Sequence, residues 1–125
     1  MIINTASIVS RWCYSDFGPY CASKFVVVGL MQASTRAVAQ DKIAVNGFAP
    51  GMSVAPLGGM LNNDLMSNGA SSTPGEAIES FLSGTLLERP AQAEDIAGAA
   101  AFLTSVDSDH ATGQIAAINV EMVLV

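Results

Sequence analysis

Three short apolar segments, each separated from the next by a helical pattern, restrict the fold of this chain more than any other feature. Residues 2–7, 43–49 and 114–120 are apolar or small, without the polar alternation of a strand that has one wet face. Such segments are typical of strands buried on both faces of a parallel sheet. Because parallel neighbours need crossover connections, this order predicts an α/β fold with about three parallel strands, right-handed crossovers and flanking helices.

The segments between the strands carry helical patterns of different strength. After a loop at residues 10–19, apolar side chains recur at helical offsets as far as about residue 41, which predicts the longest helix. A second helix is predicted from Ala93, with two acidic residues in its first turn. Residues 73–83 begin with a capping-box pattern and predict a short helix, while residues 52–72 are rich in Gly, Asn and Ser and are expected to form a lid over a site.

Composition and charge limit the classes of binding partner. The chain has 125 residues, enough for one domain, and its formal net charge of −6 disfavours nucleic acid and anionic membrane surfaces. Its apolar stretches are shorter than the roughly 18 residues of a membrane span, and its first residues lack a secretory signal pattern. We therefore expect a cytoplasmic protein that binds neither nucleic acid nor a membrane.

Cysteine and histidine give little support to metal or triad chemistry. Cys13 and Cys21 are eight residues apart, which matches neither a redox Cys-x-x-Cys pair nor zinc-ligand spacing, so both are expected to be plain thiols. His110 is the only histidine and lies in a polar turn, where a solvated loop position is expected. No metal site is predicted.

Tyr20 and Lys24 form the first candidate for chemistry. Their spacing of four residues near the start of the long helix puts both side chains on one helix face. A nearby positive charge favours a phenolate, which would let a tyrosine act as a general acid or base. The spacing alone is a weak signal, because a surface pair of the same kind arises often by chance.

The wider pattern resembles the short-chain dehydrogenase/reductase family. Ser7 ends the first strand thirteen residues before Tyr20, and three family motifs occur in the family's order and spacing. The motifs are Ile2-Ile3-Asn4-Thr5-Ala6-Ser7, Tyr20-Cys21-Ala22-Ser23-Lys24 and Val45-Asn46-Gly47-Phe48-Ala49-Pro50-Gly51. Later segments are similar to the family's closing elements, namely Glu88-Arg89-Pro90, Glu94-Asp95-Ile96-Ala97 and Thr112-Gly113-Gln114.

This resemblance implies hydride transfer between NAD(P)(H) and an alcohol or carbonyl substrate. Ser7 would orient the substrate oxygen, Tyr20 would exchange a proton with it, and Lys24 would assist the tyrosine and bind the nicotinamide ribose. Two of these residues have a structural alternative: Ser7 could cap the strand end, and Lys24 could be a solvated helix charge. The cofactor-binding residues implied by the resemblance are Tyr20, Lys24, Pro50, Gly51, Ser53 and Val54.

The resemblance covers the carboxyl-terminal half of the family's Rossmann-like doubly wound sheet, so residues 1–125 are expected to be a single partial domain. The glycine-rich turn that seats the pyrophosphate has no counterpart in these residues, nor does the segment that selects NAD or NADP. Ala55 stands where the family commonly has threonine, and residues 119–122 depart from its usual Asp-Gly-Gly ending. The cofactor could therefore be NAD or NADP.

Two further expectations concern substrate and assembly. Residues 79–114 look closer to acetoin and polyol reductases than to other branches, and family members associate through the Tyr-Lys helix and the final strand, so a homo-oligomer is expected. Ala22, Gly29 and Ala33 would permit close helix approach. The alternative is a truncated, non-catalytic remnant that acts only as an interaction or oligomerisation module.

Overall fold

The computed structural model describes residues 1–53, 63, 66, 67, 73, 75, 79 and 82–119. The strands and helices within them run in the order β1 (Ile2–Thr5), α1 (Gly18–Ala37), β2 (Val45–Pro50), α2 (Ala93–Thr104) and β3 (Ile115–Ile118). The central strand β2 pairs in parallel with both β1 and β3. The helices α1 and α2 both contact β2. The predicted parallel α/β class is therefore confirmed.

The register of β2 explains how this strand can end on a proline. The amides of Gly47 and Gly51 donate to carbonyls of the β3 segment at 2.9 and 3.0 Å. Because donation alternates between the two neighbours, the position of Pro50 faces β1. There β1 has already ended at Thr5, so the missing N–H of proline costs no ladder bond. The sequence prediction had ended this strand one residue earlier and begun it two residues earlier.

Helix α1 packs closely on the sheet because β2 carries a glycine beneath it. Cys21 and Met31 are its buried side chains, 1% and 2% exposed. A Cβ atom at Gly47 would lie 2.8 Å from the Asn4 carbonyl oxygen and 3.3 Å from the Met31 sulfur. Glycine is therefore required for this approach. The remaining buried apolar residues are Ala6, Val9, Val45, Ala49, Ala91 and Leu103.

The end of the long helix differs from the sequence prediction. Helix α1 ends at Ala37, and Ala39–Asp41 form a separate 3-10 turn that Lys42 closes with a left-handed φ of 56°. The predicted helix was too long because hydrophobic periodicity does not distinguish an α-helix from a following 3-10 turn.

Strand β1 is less buried than predicted. Ile2 is 43% exposed, and Thr5 is also exposed. Among the described residues, β1 pairs with β2 alone, so its other edge has no partner there. An apolar strand with an open edge offers backbone groups to a further strand.

The start of α2 is held by a capping network around one carboxylate. Asp95 accepts from the Gln92 backbone amide at 2.8 Å, and the Arg89 guanidinium donates to it twice, at 2.7 and 3.0 Å. The Gln92 side chain accepts in return from the Asp95 backbone, which completes a capping box. The Arg89 hydrogen bond is the largest cause, and the Gln92 amide the second, of an Asp95 pKa lowered to about 2.

This lowered pKa predicts an acid-sensitive contribution to stability. A carboxylate with a folded-state pKa below its unfolded value stabilises the fold above about pH 4, and the stabilisation is lost as pH falls towards about 2. We expect Asp95→Asn to be less stable than the wild type at pH 7, and the difference to shrink between pH 4 and 2. Urea unfolding of both proteins across this range measures the effect. A difference that stays constant with pH would contradict it.

Several predicted features lie largely outside the described residues. These are the lid at residues 52–72, the short helix at residues 73–83 and the end of the third strand beyond Asn119. The amide of Glu79 donates to the Gly75 carbonyl at 2.9 Å, which is the bond of one helical turn. Within the described part of the chain, no helix is long and apolar enough to cross a membrane.

Candidate active site

The candidate site lies where β1 and β2 end, because ligands of parallel α/β sheets bind outside the carboxyl ends of their strands. Ser7 follows β1 and caps a 3-10 turn at Ile8–Ser10, its hydroxyl oxygen accepting from the Val9 amide at 3.4 Å. Ser7 therefore caps the turn that follows the strand. It leaves the hydroxyl hydrogen free to donate, so capping and substrate orientation are compatible.

Ser10 is a neighbour that the sequence did not single out. It is 4% exposed, and its hydroxyl donates to the Ser7 carbonyl oxygen at 2.6 Å. The turn that holds Ser7 packs against α1. Buried hydrogen bonds of this kind fix the backbone of Ser7 relative to the helix that carries Tyr20.

Tyr20 and Lys24 lie in the first two turns of α1, as their spacing predicts. The Lys24 ammonium is 5.7 Å from the centre of the Tyr20 ring, and it donates to the Thr5 carbonyl oxygen at 3.2 Å. This contact ties the Tyr-Lys pair to the carboxyl end of β1. Because of this contact, Lys24 is not a freely solvated helix charge. Tyr20 is 37% exposed, and no hydrogen bond in the described part of the chain engages its hydroxyl group.

The segment after β2 leaves the sheet at the same edge as Ser7, because β1 and β2 are parallel neighbours. Pro50, Gly51 and Ser53 are all partly buried. Ser53 pairs with Ala91 in an isolated parallel bridge, and the amide of Ala91 donates to the carbonyl oxygen of residue 52 at 2.8 Å. The backbone beyond β2 is thus hydrogen-bonded to the segment that precedes α2. Val54 and Ala55 lie outside the described residues.

The end of β2 also approaches the end of β3 closely. A Cβ atom at Gly51 would lie 2.8 Å from the Cβ of Asn119, so glycine permits this contact. Among the described residues, the buried side-chain nitrogen of Asn119 has no hydrogen-bond partner.

Part of the family-like pattern has a structural role instead. Asn46 is fully buried, and its side chain donates to the Ala111 carbonyl oxygen at 2.7 Å and accepts from the Gln114 amide at 3.1 Å. The Thr112 hydroxyl accepts from the Val45 amide at 3.1 Å. The second strand motif is therefore hydrogen-bonded to the segment around Thr112 and Gln114 that leads into β3. His110 lies exposed in the turn beside it, as predicted.

The donor groups at this site suit one end of a nicotinamide dinucleotide. An ammonium has three hydrogens, and among the described residues Lys24 donates one hydrogen bond, to Thr5, so two hydrogens are left there for ribose hydroxyls. The described residues include no group of three or more His, Cys, Asp or Glu that could hold a metal ion.

This arrangement defines a class: an α/β protein with a Tyr-Lys pair at the carboxyl ends of parallel strands. A family model described as enoyl-(acyl carrier protein) reductase matches residues 1–120. The chain is 33% identical over 113 residues to a diacetyl reductase [(S)-acetoin forming] of Staphylococcus epidermidis, covering 90% of this chain and 44% of that protein. It is 35% identical over 115 residues to an L-2,3-butanediol dehydrogenase of Corynebacterium glutamicum, covering 91% and 44%.

Two solved structures share the fold. The crystal structure of levodione reductase superposes with a TM-score of 0.82 at 30% identity, covering 94% of this chain and 44% of that one. An F189W actinorhodin polyketide ketoreductase with NADPH gives 0.87 at 24% identity, covering 97% and 46%. The chain belongs to the short-chain dehydrogenase/reductase family, whose members are oxidoreductases. It spans less than half the length of these relatives.

Proposed function

We propose that this chain supplies the catalytic half of an NAD(P)-dependent oxidoreductase that interconverts a carbonyl and an alcohol. The observation that carries the proposal is the placement of Tyr20 and Lys24 at the head of α1, with the Lys24 ammonium bonded to the carboxyl end of β1. Ser7 and Tyr20 act on the substrate oxygen, and Tyr20, Lys24 and residues 50–54 meet the nicotinamide end of the cofactor. NAD and NADP remain equal candidates.

In the reducing direction, a nicotinamide held by Tyr20 and Lys24 would supply a hydride to the carbonyl carbon. The Ser7 hydroxyl donates a hydrogen bond that orients the carbonyl oxygen. The Tyr20 hydroxyl gives its proton to that oxygen, so the product is the alcohol and the phenol is left as phenolate. The Lys24 ammonium, 5.7 Å from the centre of the Tyr20 ring, lies near the negative charge that this transfer leaves on the tyrosine oxygen. In the oxidising direction, each proton and hydride transfer runs in reverse.

The names of the relatives support a proposal for the substrate class. Diacetyl, acetoin and 2,3-butanediol are small molecules with oxygen on two adjacent carbons, and the sequence had indicated acetoin and polyol reductases. We infer a small ketone or alcohol of this kind, handled in the cytoplasm. The alternative of a non-catalytic interaction module is not favoured, because Ser7, Tyr20 and Lys24 are all present and the chain matches reductases.

Fusion to a dinucleotide-binding half tests the proposal. Residues 1–125 replace the matching part of the S. epidermidis diacetyl reductase, and the reduction of diacetyl and acetoin is followed through the absorbance of NADH or NADPH. We expect turnover with at least one cofactor, whereas the 125-residue chain alone binds neither at micromolar concentration in equilibrium dialysis, because it lacks the pyrophosphate turn. A folded fusion that binds cofactor without reducing either substrate, or micromolar binding by the chain alone, would contradict it.

We also propose that the protein associates as a homo-oligomer. The outer face of α1 is apolar or small, with Val26 58% and Leu30 62% exposed. A Cβ atom at Gly29 would meet nothing within 4 Å, so there is room for a second helix to approach.

Sedimentation velocity over a range of protein concentrations tests this association. We expect the wild type to sediment as an oligomer and Leu30→Glu to move it towards the monomer, because burying an unpaired carboxylate in an apolar interface is unfavourable. Val106→Glu is the matched control: Val106 is 79% exposed, and it lies on the 3-10 turn after α2 rather than on α1. A monomeric wild type, or equal effects of the two variants, would contradict the proposal.

A further inference from the structure

Two turns of the chain share one arrangement of serines. Residues 7–10 and 105–108 each begin with a serine whose hydroxyl oxygen accepts from the amide two residues later, at 3.4 and 3.2 Å. Each turn ends with a buried serine, Ser10 or Ser108, whose hydroxyl and amide both donate to the carbonyl oxygen of the first serine. The second turn follows α2, whereas the first turn carries the proposed substrate-orienting residue.

The two turns differ in how the first serine uses its hydroxyl hydrogen. Ser105 donates this hydrogen to the Phe102 carbonyl oxygen at 2.8 Å. Ser7 is 9% exposed, and its hydroxyl donates to no acceptor among the described residues. Because buried hydroxyl groups are usually hydrogen-bonded, an unused hydrogen at the carboxyl end of a strand is a donor for a ligand.

The last serine is also bound more closely in the first turn. Ser10 donates to the Ser7 carbonyl oxygen through its hydroxyl at 2.6 Å and through its amide at 2.9 Å. The corresponding distances for Ser108 are 3.0 and 3.3 Å, and its hydroxyl also donates to the Leu103 carbonyl oxygen at 2.9 Å. Since Ser10 is 4% exposed, its bond is shielded from water and holds the backbone of Ser7 in place.

We propose that Ser10 is a positioning residue, which acts through Ser7 by fixing the turn that aims the Ser7 hydroxyl at the substrate oxygen. This inference rests on the proposed function, because it gives Ser10 a part in the same reaction. The Val9 amide holds the Ser7 hydroxyl only weakly, since 3.4 Å is long for such a bond. The direction of the donor is therefore set by the backbone of the turn, and small displacements of a group that contacts the reacting atoms are costly.

A double-mutant cycle in the fusion enzyme tests the proposal. Ser10→Ala should lower kcat by about tenfold and leave cofactor affinity unchanged, because the bond from Lys24 to Thr5 is untouched. In a Ser7→Ala background the same substitution should have no further effect, since the donor that it aims is gone. Equal losses of kcat in the two backgrounds would overturn the proposal.

The second serine turn provides the matched control. Ser108→Ala removes the same hydroxyl from the same kind of turn and should leave kcat unchanged, because residues 105–108 carry no proposed catalytic group. A loss of kcat as large as that of Ser10→Ala would count against the proposal. If Ser10→Ala does not fold, Ser10→Cys takes its place in the cycle, since it keeps a side chain of similar shape and offers only a weak donor.

Amide hydrogen exchange in the 125-residue chain is a second readout, which requires no activity. The Val9 amide reports on the Ser7 hydroxyl, and the Asp107 amide reports on the equivalent hydroxyl of Ser105. We expect Ser10→Ala to accelerate exchange at Val9 by about fivefold, the equivalent of one hydrogen bond, and to leave exchange at Asp107 unchanged. Unchanged exchange at Val9, or equal acceleration at both amides, would refute the positioning role. A folded fusion enzyme without turnover would contradict the proposed function instead, and the exchange rates would still decide whether Ser10 holds Ser7.

Discussion

Tyr20→Phe is expected to lower kcat of the fusion enzyme by at least about 100-fold, the usual effect of losing a general acid or base. The substitution removes the hydroxyl and keeps the ring, and the hydroxyl has no hydrogen bond to lose within the described residues. Cofactor affinity should change little. Steady-state kinetics and cofactor titration measure the two quantities separately. Unchanged turnover would assign the proton to another group.

Two variants sharpen this test. Tyr14→Phe alters the only other tyrosine, which packs against Phe17 outside the proposed machinery, and should leave turnover near the wild-type value. Lys24→Met should weaken both catalysis and cofactor binding, because its ammonium is placed to serve both. A Lys24 variant that loses catalysis alone would restrict this residue to the proton-transfer step.

Local sequence patterns were sufficient to predict the three strands, the helices α1 and α2 and the placement of the Tyr-Lys pair. Three buried segments with helices between them define the parallel sheet, and helical spacing alone puts Tyr20 and Lys24 on one face. The boundaries were less accurate. The predicted helix continued into the 3-10 turn at Ala39–Asp41, and the second strand was ended before Pro50 because the direction of hydrogen bonding at that position depends on where the neighbouring strand stops.

Contacts made by loops could not be predicted from spacing. The hydrogen bond from the Ser10 hydroxyl to the Ser7 carbonyl oxygen depends on the 3-10 turn that follows β1. The bond from Lys24 to Thr5 depends in the same way on how α1 lies over β1. Such contacts follow from tertiary packing, which leaves no period in the sequence. The roles of Ser7, Tyr20, Lys24 and the cofactor-binding residues stay predictions.

Asn46 shows a further limit of prediction from the sequence. It belongs to a motif whose resemblance to the family suggested function, whereas its side chain holds β2 to the segment before β3. Asn46→Leu would remove two part-buried hydrogen bonds, one to the Ala111 carbonyl oxygen and one from the Gln114 amide. Two such bonds, at about 0.5–1.5 kcal/mol each, predict a loss of about 1–3 kcal/mol in the free energy of unfolding. Urea unfolding at equal protein concentration measures it. Gln114→Ala is the matched control, since it removes an exposed side chain and keeps the amide, and should cost under about 0.5 kcal/mol.

Asn46→Asp keeps the size and shape of the side chain, so it separates the effect of lost hydrogen bonds from the effect of altered packing. A neutral aspartic acid can accept from Gln114 and donate to Ala111 as the amide does, whereas an ionised one offers no donor and buries a charge. Burial without a cation raises the pKa of such a carboxyl, so the folded state binds more protons than the unfolded state around neutral pH. Its stability must then fall as pH rises. We therefore expect Asn46→Asp to approach the wild type near pH 4 and to be far less stable at pH 7, while the deficit of Asn46→Leu stays constant. Parallel pH dependence of the two variants would show that the side chain of Asn46 fills space rather than joining β2 to the start of β3.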